Sequence, residues 1–387
     1  MNHAATDQGG SAGPLAGVKV VELATTLMGP YAAMMLAQLG ADVIKVEAPG
    51  GDINRNVGDV TGAGMASGFI NANLGKRSIE LDLHNDEDRA TFLDLIRWAD
   101  VFVHNRPPSA AERLAVDYSS LREINPRLIH CSAIGFGASG PYRDLPAYDD
   151  VIQAASGLAY VQNPRQPTYI KSAIADKICG LAVVGAINAA LFERERSGQG
   201  QAVEVPMFET MTTVMLIEQQ QGWLFDPPRG ETLYSRTASP YRRPYETKDG
   251  VLSVVVYTDR HWASFFTLIG RPELCTDPRF STVRVRTENI DELYQVVEDS
   301  LRERTTQEWI DLLRSHKIPA MPVNSVTDLF SDPHLQATGF FQPGEQPGIG
   351  SVLTPPYPAR FSRTTLGPAR PAPRLDEHRT SIKEQMR

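Results

Sequence analysis

Residues 18–47 read VKVVELATTLMGPYAAMMLAQLGADVIKVE, and this stretch decides the fold. Its first six residues are mostly apolar and predict a short strand. Pro30 suits the first turn of a helix over residues 31–39, and Gly40 suits its end because glycine readily takes the left-handed conformation that closes helices. Residues 41–47 return as a second strand. A strand, a helix and a strand in so short a stretch predict a βαβ unit with parallel strands.

The same alternation continues along the chain. Further elements are predicted in the order strand 78–83, helix 86–99, strand 101–105, helix 118–125 and strand 128–136. We therefore expect an α/β fold with a large, Rossmann-like domain that contains a parallel sheet. Ligands bind at the carboxyl ends of the strands in such sheets. The predicted strand ends lie near Leu23, Glu47, Leu83, Asn105 and Ile134.

Several common cofactor motifs are missing from the sequence. The first strand is followed by LATTLMGP, and not by the G-x-G-x-x-G of dinucleotide-binding folds. No GxxxxGK[ST] motif occurs, so a phosphate-binding P-loop is not expected. The eight histidines are scattered, and neither HExxH nor CxxC occurs. We therefore predict no metal site.

A long apolar stretch near the middle of the chain contains a single early acid. It reads KSAIADKICGLAVVGAINAALFERERSGQGQAVEVP over residues 171–206, and it places Asp176 at the start of a helix rich in small residues. Such a helix packs closely against other backbone on several faces. The final AVEVP predicts a short strand. An Asp at a helix start is commonly an N-cap, so a purely structural role for Asp176 stays open at this point.

Composition and charge exclude several classes of protein. The 387 residues, 42% of them apolar, suffice for one large and one smaller domain. The net charge of −8 argues against nucleic-acid binding, which needs a basic face. Cys131, Cys179 and Cys275 are predicted to be buried, reduced thiols. No apolar run predicts a membrane span, and the N-terminal MNHAATDQGGSAGP is predicted to be a disordered leader, not a signal peptide. We therefore expect a cytoplasmic protein.

The second half of the chain predicts a smaller α+β domain. A Met-rich helix is expected from Met207, and a hairpin is expected around the turn Lys248-Asp249-Gly250. Helices are predicted at 259–269 and 289–302. A third begins near Thr306, where T-x-x-E is a helix-start signature.

Several motifs follow one another in an order that is typical of one family. They are LAGVKVVELATTLMGPYAAMMLAQLGADVIKVEAPGGD, NANLGKRSIELDL, ADVFVHNRPPSAAERLAVDYSSLREINPRLIHCSAIGFG, GPYRDLPAYDDVIQAASGL, the segment that starts at Asp176, YETKDGVLSVVV and IPAMPVNSVTDLFSDPHLQATGFF. Over roughly residues 14–365 the chain resembles the class III coenzyme A transferases. This family includes formyl-CoA transferase, the carnitine CoA-transferases and the α-methylacyl-CoA racemases.

The resemblance implies an activity, a nucleophile and an assembly. The activity is transfer of CoA from an acyl-CoA thioester to a free carboxylic acid, without a permanently bound cofactor. Asp176 corresponds to the catalytic aspartate, which forms a mixed anhydride and then an aspartyl-CoA thioester. Family members form interlocked homodimers. The implied domains are a large CoA-binding domain of residues 1–205 and 323–387, a linker helix and loop of 206–233, and a small domain of 234–322.

The resemblance also assigns CoA-binding residues position by position. They are Leu81, Asp82, Leu83, His84, Asn105, Arg106, Pro107, Arg113, Ala147 and Tyr148. In the racemase branch a histidine that acts as an acid/base stands at the position of Tyr148. Tyrosine is a poor base at neutral pH, so the residue favours a transferase. An ordinary half-buried aromatic is the bland alternative for Tyr148, and a 2-methylacyl-CoA racemase and a non-catalytic acyl-CoA-binding protein stay open as alternative functions.

Some positions depart from the formyl-CoA transferase branch. Leu27 stands in place of glutamine, Ala48 in place of arginine, and both His84 and Pro146 in place of lysine. The CoA phosphates are then expected at other cations. The candidates are Arg55, Lys76 and Arg77, with a solvated turn as the alternative for the last two.

Two further segments are assigned to the substrate. Gly135 and Gly137 lie at a strand end and are predicted to supply a backbone N–H to an oxyanion, with plain turn glycines as the alternative. The segment ASPYRRP replaces the glycine-rich lid of formyl-CoA transferase. Its Arg242 and Arg243 are predicted to bind a second carboxylate of a dicarboxylic acyl group such as succinate, malate, itaconate or mesaconate. A solvent-exposed basic loop is the alternative.

Overall fold

The structure is a computed structural model that describes residues 13–368 and 370–387. Residues 1–12 of the predicted leader therefore lie outside the described residues. The chain forms two compact units. The first comprises the chain up to Ala159, Tyr169–Val214 and Ala337–Arg387, and the second comprises Tyr160–Thr168 and Met215–Gln336. The domain boundaries given above stay a prediction, because compactness alone does not test which segments fold as domains.

A six-stranded parallel sheet forms the centre of the first unit. Its strands are β1 (Lys19–Leu23), β2 (Asp42–Glu47), β3 (Arg77–Glu80), β4 (Val101–His104), β5 (Ile129–Ile134) and β6 (Gln201–Pro206). Their order is β3-β2-β1-β4-β5-β6, and every neighbouring pair is parallel. This is the strand order of dinucleotide-binding folds. The strands β2 and β3 are added on one side of β1, and the strands from β4 onwards are added on its other side. The predicted α/β fold with a parallel sheet is confirmed.

Helices cover both faces of this sheet. They are α1 (Met28–Gln38), α2 (Ser67–Asn73), α3 (Asp86–Trp98), α4 (Pro108–Arg113), α5 (Tyr118–Arg122), α6 (Asp149–Ala155), α7 (Leu158–Gln162) and α8 (Ile174–Ser197). Phe92 and Leu95 of α3 pack on Val21 and Phe102 to form the core of one face. Helices α1 and α8 cover the other face, where α1 contacts β1 and β2 and α8 contacts β5 and β6.

Helix α1 begins earlier than the sequence predicts. Its first residue is Met28, so Pro30 is its third residue and not its first. Proline is tolerated there because the backbone N–H groups of the first turn have no partner within the helix. Leu27 precedes the helix without a side-chain cap. The first N–H groups of α1 are therefore open to partners from other parts of the fold.

Helix α8 is the longest helix of the described chain. By length and composition alone it could cross a membrane, with a mean hydropathy of 1.6 over its most apolar window. This corrects the expectation that no stretch is so apolar. In the fold the helix packs against α1, α6, β5 and β6, as the core helix of an α/β unit does. Cys179 on this helix and Cys131 on β5 are buried as predicted, but Cys275 is exposed, and all three are free.

The second unit has its own sheet and core. Strands β7 (Tyr245–Glu246), β8 (Val251–Val254) and β9 (Ala320–Pro322) form an antiparallel sheet. Residues 207–337 form the helices α9 (Met207–Gln219), α10 (Ser235–Ala238), α11 (Asp259–Leu268), α12 (Val283–Glu288), α13 (Ile290–Leu301), α14 (Thr306–Ser315) and α15 (Pro333–Ala337). The first part of α9, up to Val214, belongs to the first unit. Phe265, Leu293 and Trp309 are buried at the centre of the core. Thr305 and Glu308 form the capping box that the sequence predicts.

The chain ends back on the first unit. A hairpin of β10 (Gln342–Gln346) and β11 (Gly350–Thr354) precedes the final helix α16 (Arg379–Gln385), which contacts β3. Ile382 of α16 is buried in the same core as Phe92.

Candidate active site

Asp176 is the third residue of α8 and faces the start of α1. The N-cap of α8 is Ala173, and no side chain caps the helix there, so Asp176 is not the N-cap that the sequence left open. The backbone N–H of Met28 instead lies close enough to the Asp176 carboxylate to lower the pKa of that group. Met28 is the first residue of α1, so two helix N-termini converge on this carboxylate. Helix N-termini favour negative charge.

Gly180 allows the two helices to approach at this point. A Cβ atom at Gly180 would lie 3.0 Å from the Tyr31 ring and 3.1 Å from the carbonyl oxygen of Met28. Gly180 follows Asp176 by one helical turn, so both residues are on the face of α8 that meets α1. A small residue here brings the Met28 amide within reach of the carboxylate.

Asp149, the first residue of α6, supports Asp176 from the other side. Its Oδ2 accepts the backbone N–H of Asp176 at 3.0 Å, and its Oδ1 accepts from Nε2 of Gln153 at 2.6 Å. Asp149 is buried. It therefore satisfies one of the unpaired N–H groups at the start of α8 and brings a second negative charge close to Asp176.

The environment raises the pKa of Asp176 from 3.8 to about 6. Burial is the main cause, and the charge of Asp149 adds to it, whereas the Met28 N–H and Lys177 act in the opposite direction. The group is still ionised at neutral pH, but it is less well solvated than an ordinary surface carboxylate. A poorly solvated carboxylate beside one fixed N–H group is suited to nucleophilic attack.

A cavity of about 330 Å³ opens at the carboxyl ends of β1 to β4. It is lined by Leu23, Ala48, Pro49, Leu81, Asp82, Leu83, His84, Arg106, Ala110, Arg113 and Leu114. Six of the predicted CoA-binding residues are among them. Apolar walls with a few charged groups are typical of cofactor and nucleotide sites.

A second cavity of about 290 Å³ shares Leu23 and Arg106 with the first. Its other lining residues are Thr25, Thr26, Asn105, Pro107, Gly135, Arg143, Leu145, Pro146, Ala147 and Tyr148. The structure thus places all ten predicted CoA-binding residues around two adjoining cavities at the carboxyl ends of the strands. Thr25 and Thr26, which line the second cavity, lie just before Met28, the first residue of α1.

Arg106 lies at the border of the two cavities. Its Nε atom is buried without a hydrogen-bond partner in the described part of the chain. Burial also lowers the pKa of its guanidinium group. A half-buried guanidinium with an unpaired Nε is suited to an anion. Arg113 in the first cavity makes one long hydrogen bond, from Nη1 to Oγ of Ser109 at 3.3 Å.

Tyr148 and the two glycines differ in their surroundings. The Tyr148 side chain is 68% exposed, so it is not the half-buried aromatic of the bland alternative. A Cβ atom at Gly135 would lie 2.3 Å from that of Ala147, so only glycine lets these segments meet. The N–H of Gly137 donates to Oε1 of Glu209 at 3.0 Å. It is therefore engaged and does not point to an oxyanion in this conformation.

The three alternative phosphate contacts are engaged elsewhere. Arg55 is buried and pairs with Glu47 at 2.6 Å. Lys76 is also buried, and its Nζ lies 2.6 Å from Glu22, so it is not on a solvated turn. The same Nζ donates to the Pro30 carbonyl at 2.8 Å.

Arg77, the third alternative, pairs with Asp42 at 2.7 Å. Each of the three is paired with a carboxylate, so none of them presents an unpaired charge to the cavities.

Arg242 and Arg243 lie in the second unit, just before β7. Both are exposed, and Arg243 pairs with Glu298 at 2.7 Å. The backbone N–H of Arg242 donates to the Ser239 carbonyl at 3.1 Å. The Arg242 guanidinium is thus the more available of the two.

Sequence comparison identifies the family. A family model described as CoA-transferase family III matches residues 15–379. The chain belongs to CoA-transferase family III. It is a transferase enzyme, as the resemblance implied.

Relatives of this CoA-transferase family III protein align over nearly the full chain. A succinate–glutarate CoA-transferase of Agrobacterium fabrum is 34% identical and covers 97% of this chain and 96% of its own. A succinyl-CoA:mesaconate CoA-transferase of Haloarcula hispanica is 33% identical, with 96% of both chains covered. The crystal structure of a CAIB/BAIF family protein from Brucella suis matches with a TM-score of 0.82 and 34% identity, over 97% of this chain and 100% of that chain.

Sequence reasoning missed three contributors to the site of this family III enzyme. Met28 acts through its backbone, which no residue pattern reveals. Asp149 follows Tyr148 directly, and its place at the start of a short helix was the signal that could have singled it out. Asn54, which donates to the Thr26 carbonyl just before α1, lies in a 3-10 helix of three residues that is too short to give a periodic signal. In the described parts of the chain, no three His, Cys, Asp or Glu side chains are grouped to hold a metal ion.

Proposed function

We propose that this CoA-transferase works through covalent intermediates on Asp176. A carboxylate oxygen of Asp176 attacks the thioester carbonyl, the C–S bond breaks, and CoA leaves as the thiolate. The thiolate then attacks Cγ of Asp176 in the mixed anhydride and releases the donor acid as a carboxylate. The acceptor carboxylate attacks the resulting aspartyl-CoA thioester, and the first two steps run in reverse.

The observation that supports this mechanism is the meeting of two helix starts at Asp176, where Gly180 of α8 lets Met28, the first residue of α1, approach closely. Negative charge develops on the oxygen at Cγ of Asp176 each time the thiolate or the acceptor attacks there. A fixed N–H at a helix start stabilises such charge without reorganisation. Burial weakens the solvation of the carboxylate, so less solvation is lost when it attacks the acyl group.

The two cavities at the sheet edge are proposed to hold CoA. The apolar walls around Leu81 and Leu83 suit the adenine ring, and Arg106 and Arg113 suit the phosphates. The second cavity, with Asn105, Pro107, Ala147 and Tyr148, leads the pantetheine arm towards Asp176. No resident cofactor is needed for this reaction.

Substitution of Asp176 tests the mechanism. Asp176→Ala should abolish transfer, and Asp150→Ala is the matched control because Asp150 is an exposed acid on α6. The assay follows exchange of CoA between succinyl-CoA and free acids by mass spectrometry. Incubation of the wild type with acyl-CoA and hydroxylamine should modify the peptide that contains Asp176. Retention of more than a few per cent of activity, or no modified peptide, would refute the assignment.

A dicarboxylate is the proposed substrate class. The names of the relatives cited above contain succinate, glutarate and mesaconate, which are all dicarboxylates. Arg242 and Arg243 are proposed to bind the distal carboxylate, with Arg242 as the stronger contributor because Arg243 already pairs with Glu298. Replacing both by Ala should raise the KM for dicarboxylates by roughly ten- to a hundredfold or more, since even one charge-assisted contact contributes roughly 1.5–3 kcal/mol. Equal losses for monocarboxylates would contradict the proposal.

Racemisation is the alternative that the same experiments address. A racemase would exchange the α-proton of a 2-methylacyl-CoA with solvent deuterium, whereas the proposed transferase would not. Tyr148 stands where the racemase branch has its histidine, and the exposed phenol gives no acid/base partner to Asp176. Binding of acyl-CoA without transfer would instead support a non-catalytic role.

The assembly is proposed to be an interlocked homodimer without nucleic-acid or membrane partners. Leu181 and Phe192 on one side of α8 are 55% and 62% exposed, which is unusual for a helix in the core of a unit. A second copy of the chain would cover them. Light scattering on the purified protein tests this, and a monomer at micromolar concentration would contradict it. The three free cysteines suit a reducing compartment, so we propose a cytoplasmic location.

A further inference from the structure

The two threonines that follow β1 are held at both of their backbone polar atoms. The N–H of Thr25 donates to Oδ1 of Asn105 at 3.2 Å, and Nδ2 of Asn105 donates to the Thr25 carbonyl at 2.8 Å. The N–H of Thr26 donates to Oδ1 of Asp52 at 3.2 Å, and Nδ2 of Asn54 donates to the Thr26 carbonyl at 2.6 Å. Loops usually leave such groups to water. This loop is fixed by side chains from other segments.

The backbone conformation of the loop depends on these contacts. Thr26 has a φ of +72°, a region that β-branched residues rarely adopt and that persists only when the surroundings over-determine it. The Ala24 carbonyl accepts from Nζ of Lys45 at 2.8 Å. A Cβ atom at Gly29 would lie 2.4 Å from that of Ala24, so the loop folds back tightly onto its start.

A chain of buried charges lies beneath the loop. Nζ of Lys45 is 3.0 Å from Glu22 and 3.0 Å from Asp52, and Lys76 continues the chain from Glu22 to the Pro30 carbonyl in α1. All four side chains are buried. Buried ion pairs contribute little net stability compared with apolar residues of the same size. Stability alone therefore does not account for them, whereas a requirement for one fixed geometry does.

We propose that Asn54, supported by Asp52 and the buried Lys45 and Lys76, is a positioning residue for CoA transfer. It fixes the loop between β1 and α1 so that the Met28 N–H stays directed at Asp176 throughout the reaction. The inference rests on the proposed role of Asp176.

The chemistry requires such fixation because the charge at Asp176 changes in every step. The group is in turn a carboxylate, an anhydride and a thioester, and tetrahedral oxyanions form between these states. A donor that is already in place costs no reorganisation, whereas a mobile donor contributes much less. Asn54 is itself a lining residue of neither cavity, and it contacts Thr26, which lines the second cavity, so its effect on the reaction is transmitted through Thr26 to the start of α1.

The test compares two asparagine variants. Asn54→Ala removes the hydrogen bond to the Thr26 carbonyl. Asn125→Ala is the matched control, because Nδ2 of Asn125 donates to the carbonyls of Ile96 and Ala99 at 2.9 and 2.8 Å. These contacts lie before the amino ends of β4 and β5, away from the cavities at the carboxyl ends. With succinyl-CoA as the donor, Asn54→Ala should lower kcat about tenfold with an unchanged KM, since it weakens an oxyanion donor without removing it. Asn125→Ala should leave kcat unchanged.

The pH profile separates positioning from a loss of folded protein. The Met28 N–H lowers the pKa of Asp176, so loosening its position should shift the acidic limb of kcat/KM to higher pH. Asp149 and Lys177, the charged groups that face Asp176, are the same in both variants. A smaller folded fraction would lower the rate at all pH values without moving the limb, so only Asn54→Ala should move it.

A second variant guards against a folding defect in the first. Asn54→Asp keeps the shape but turns an acceptor oxygen towards the Thr26 carbonyl, so its loss of kcat should be at least as large. Wild-type kcat and an unshifted acidic limb in both Asn54 variants would overturn the proposal. If both Asn54 variants behave like the wild type but Asp176→Ala has no transfer activity, only the proposed role of Asn54 is refuted. If Asp176→Ala is active, the proposed mechanism itself fails.

Discussion

Replacing Asp176 by Asn should stabilise the folded protein while it removes the transfer activity. Burial and Asp149 raise the pKa of Asp176 from 3.8 to about 6. At 1.36 kcal/mol per pKa unit, ionised Asp176 costs the folded state about 3 kcal/mol relative to the unfolded chain. Asn has the same shape without the charge. Because its amide must still find partners, we expect a net gain of about 2 kcal/mol.

The pH dependence of this gain follows from the direction of the pKa change. Below about pH 3 the carboxyl group is protonated in both the folded and the unfolded chain, so the wild type carries no penalty. As the pH rises through about 6, the folded protein must ionise a buried group, and stability is lost. The difference between Asp176→Asn and the wild type should therefore be close to zero below about pH 3 and largest above about pH 7.

Thermal unfolding of both proteins between about pH 4.5 and 8 measures this difference. For a chain of this length, about 2 kcal/mol corresponds to a rise in Tm on the order of 3 °C. The control is Asp150→Asn, which makes the same change in net charge at an exposed position of α6. A gain that does not depend on pH, or a lower Tm above about pH 7, would refute the reasoning. It would mean that the two helix N-termini stabilise the charge more than burial opposes it.

Three further predictions concern the same site. Asp149→Asn removes a charge that raises the pKa of Asp176, so the acidic limb of the kcat/KM profile should move to lower pH, and an unmoved limb would exclude the interaction. Arg106→Met should raise the KM for acyl-CoA by roughly tenfold or more with little change in kcat, as initial rates would show, because it removes the guanidinium between the cavities. Gly180→Ala gains about 1 kcal/mol of helix propensity but presses on Tyr31 and the Met28 carbonyl. Kinetics and melting curves should therefore show a larger loss in kcat than in Tm, and the reverse result would contradict the packing argument.

The sheet could be predicted from the sequence because its signals are local. The apolar strands recur between helices, and some helix starts carry their own cap, such as the Asn85 side chain that accepts two N–H groups at the start of α3. The same holds for the capping box at Thr305. The structure also brings the predicted CoA-binding residues to one edge, because all the parallel strands end there.

The buried charges could not be predicted in the same way. Lys76 follows a glycine and precedes Arg77, a context that is typical of an exposed turn. Its actual partners, Glu22 and the Pro30 carbonyl, lie about fifty residues away, so only the fold shows that they meet. The exposure of Cys275 could not be predicted for a related reason. Nothing in its sequence neighbourhood tells which side of a short 3-10 helix meets the core. Long-range pairing of polar groups leaves no periodic signal.

The end of the chain covers the edge strand of the sheet. The backbone N–H of His378 donates to the Ser78 carbonyl at 3.0 Å, and the N–H of Glu80 donates to Oδ1 of Asp376 at 2.8 Å. The guanidinium of Arg55 donates to the Pro373 carbonyl at 3.2 Å.

On the ribosome, β3 is therefore made well before the segment that covers it, because Glu80 and its partner Asp376 are 296 residues apart. At about 5–20 residues per second, this delay amounts to tens of seconds with an open strand edge. The whole second unit is synthesised in that interval. Until residues 373–378 have been made, the edge of β3 in a nascent chain stays open to pairing with other strands.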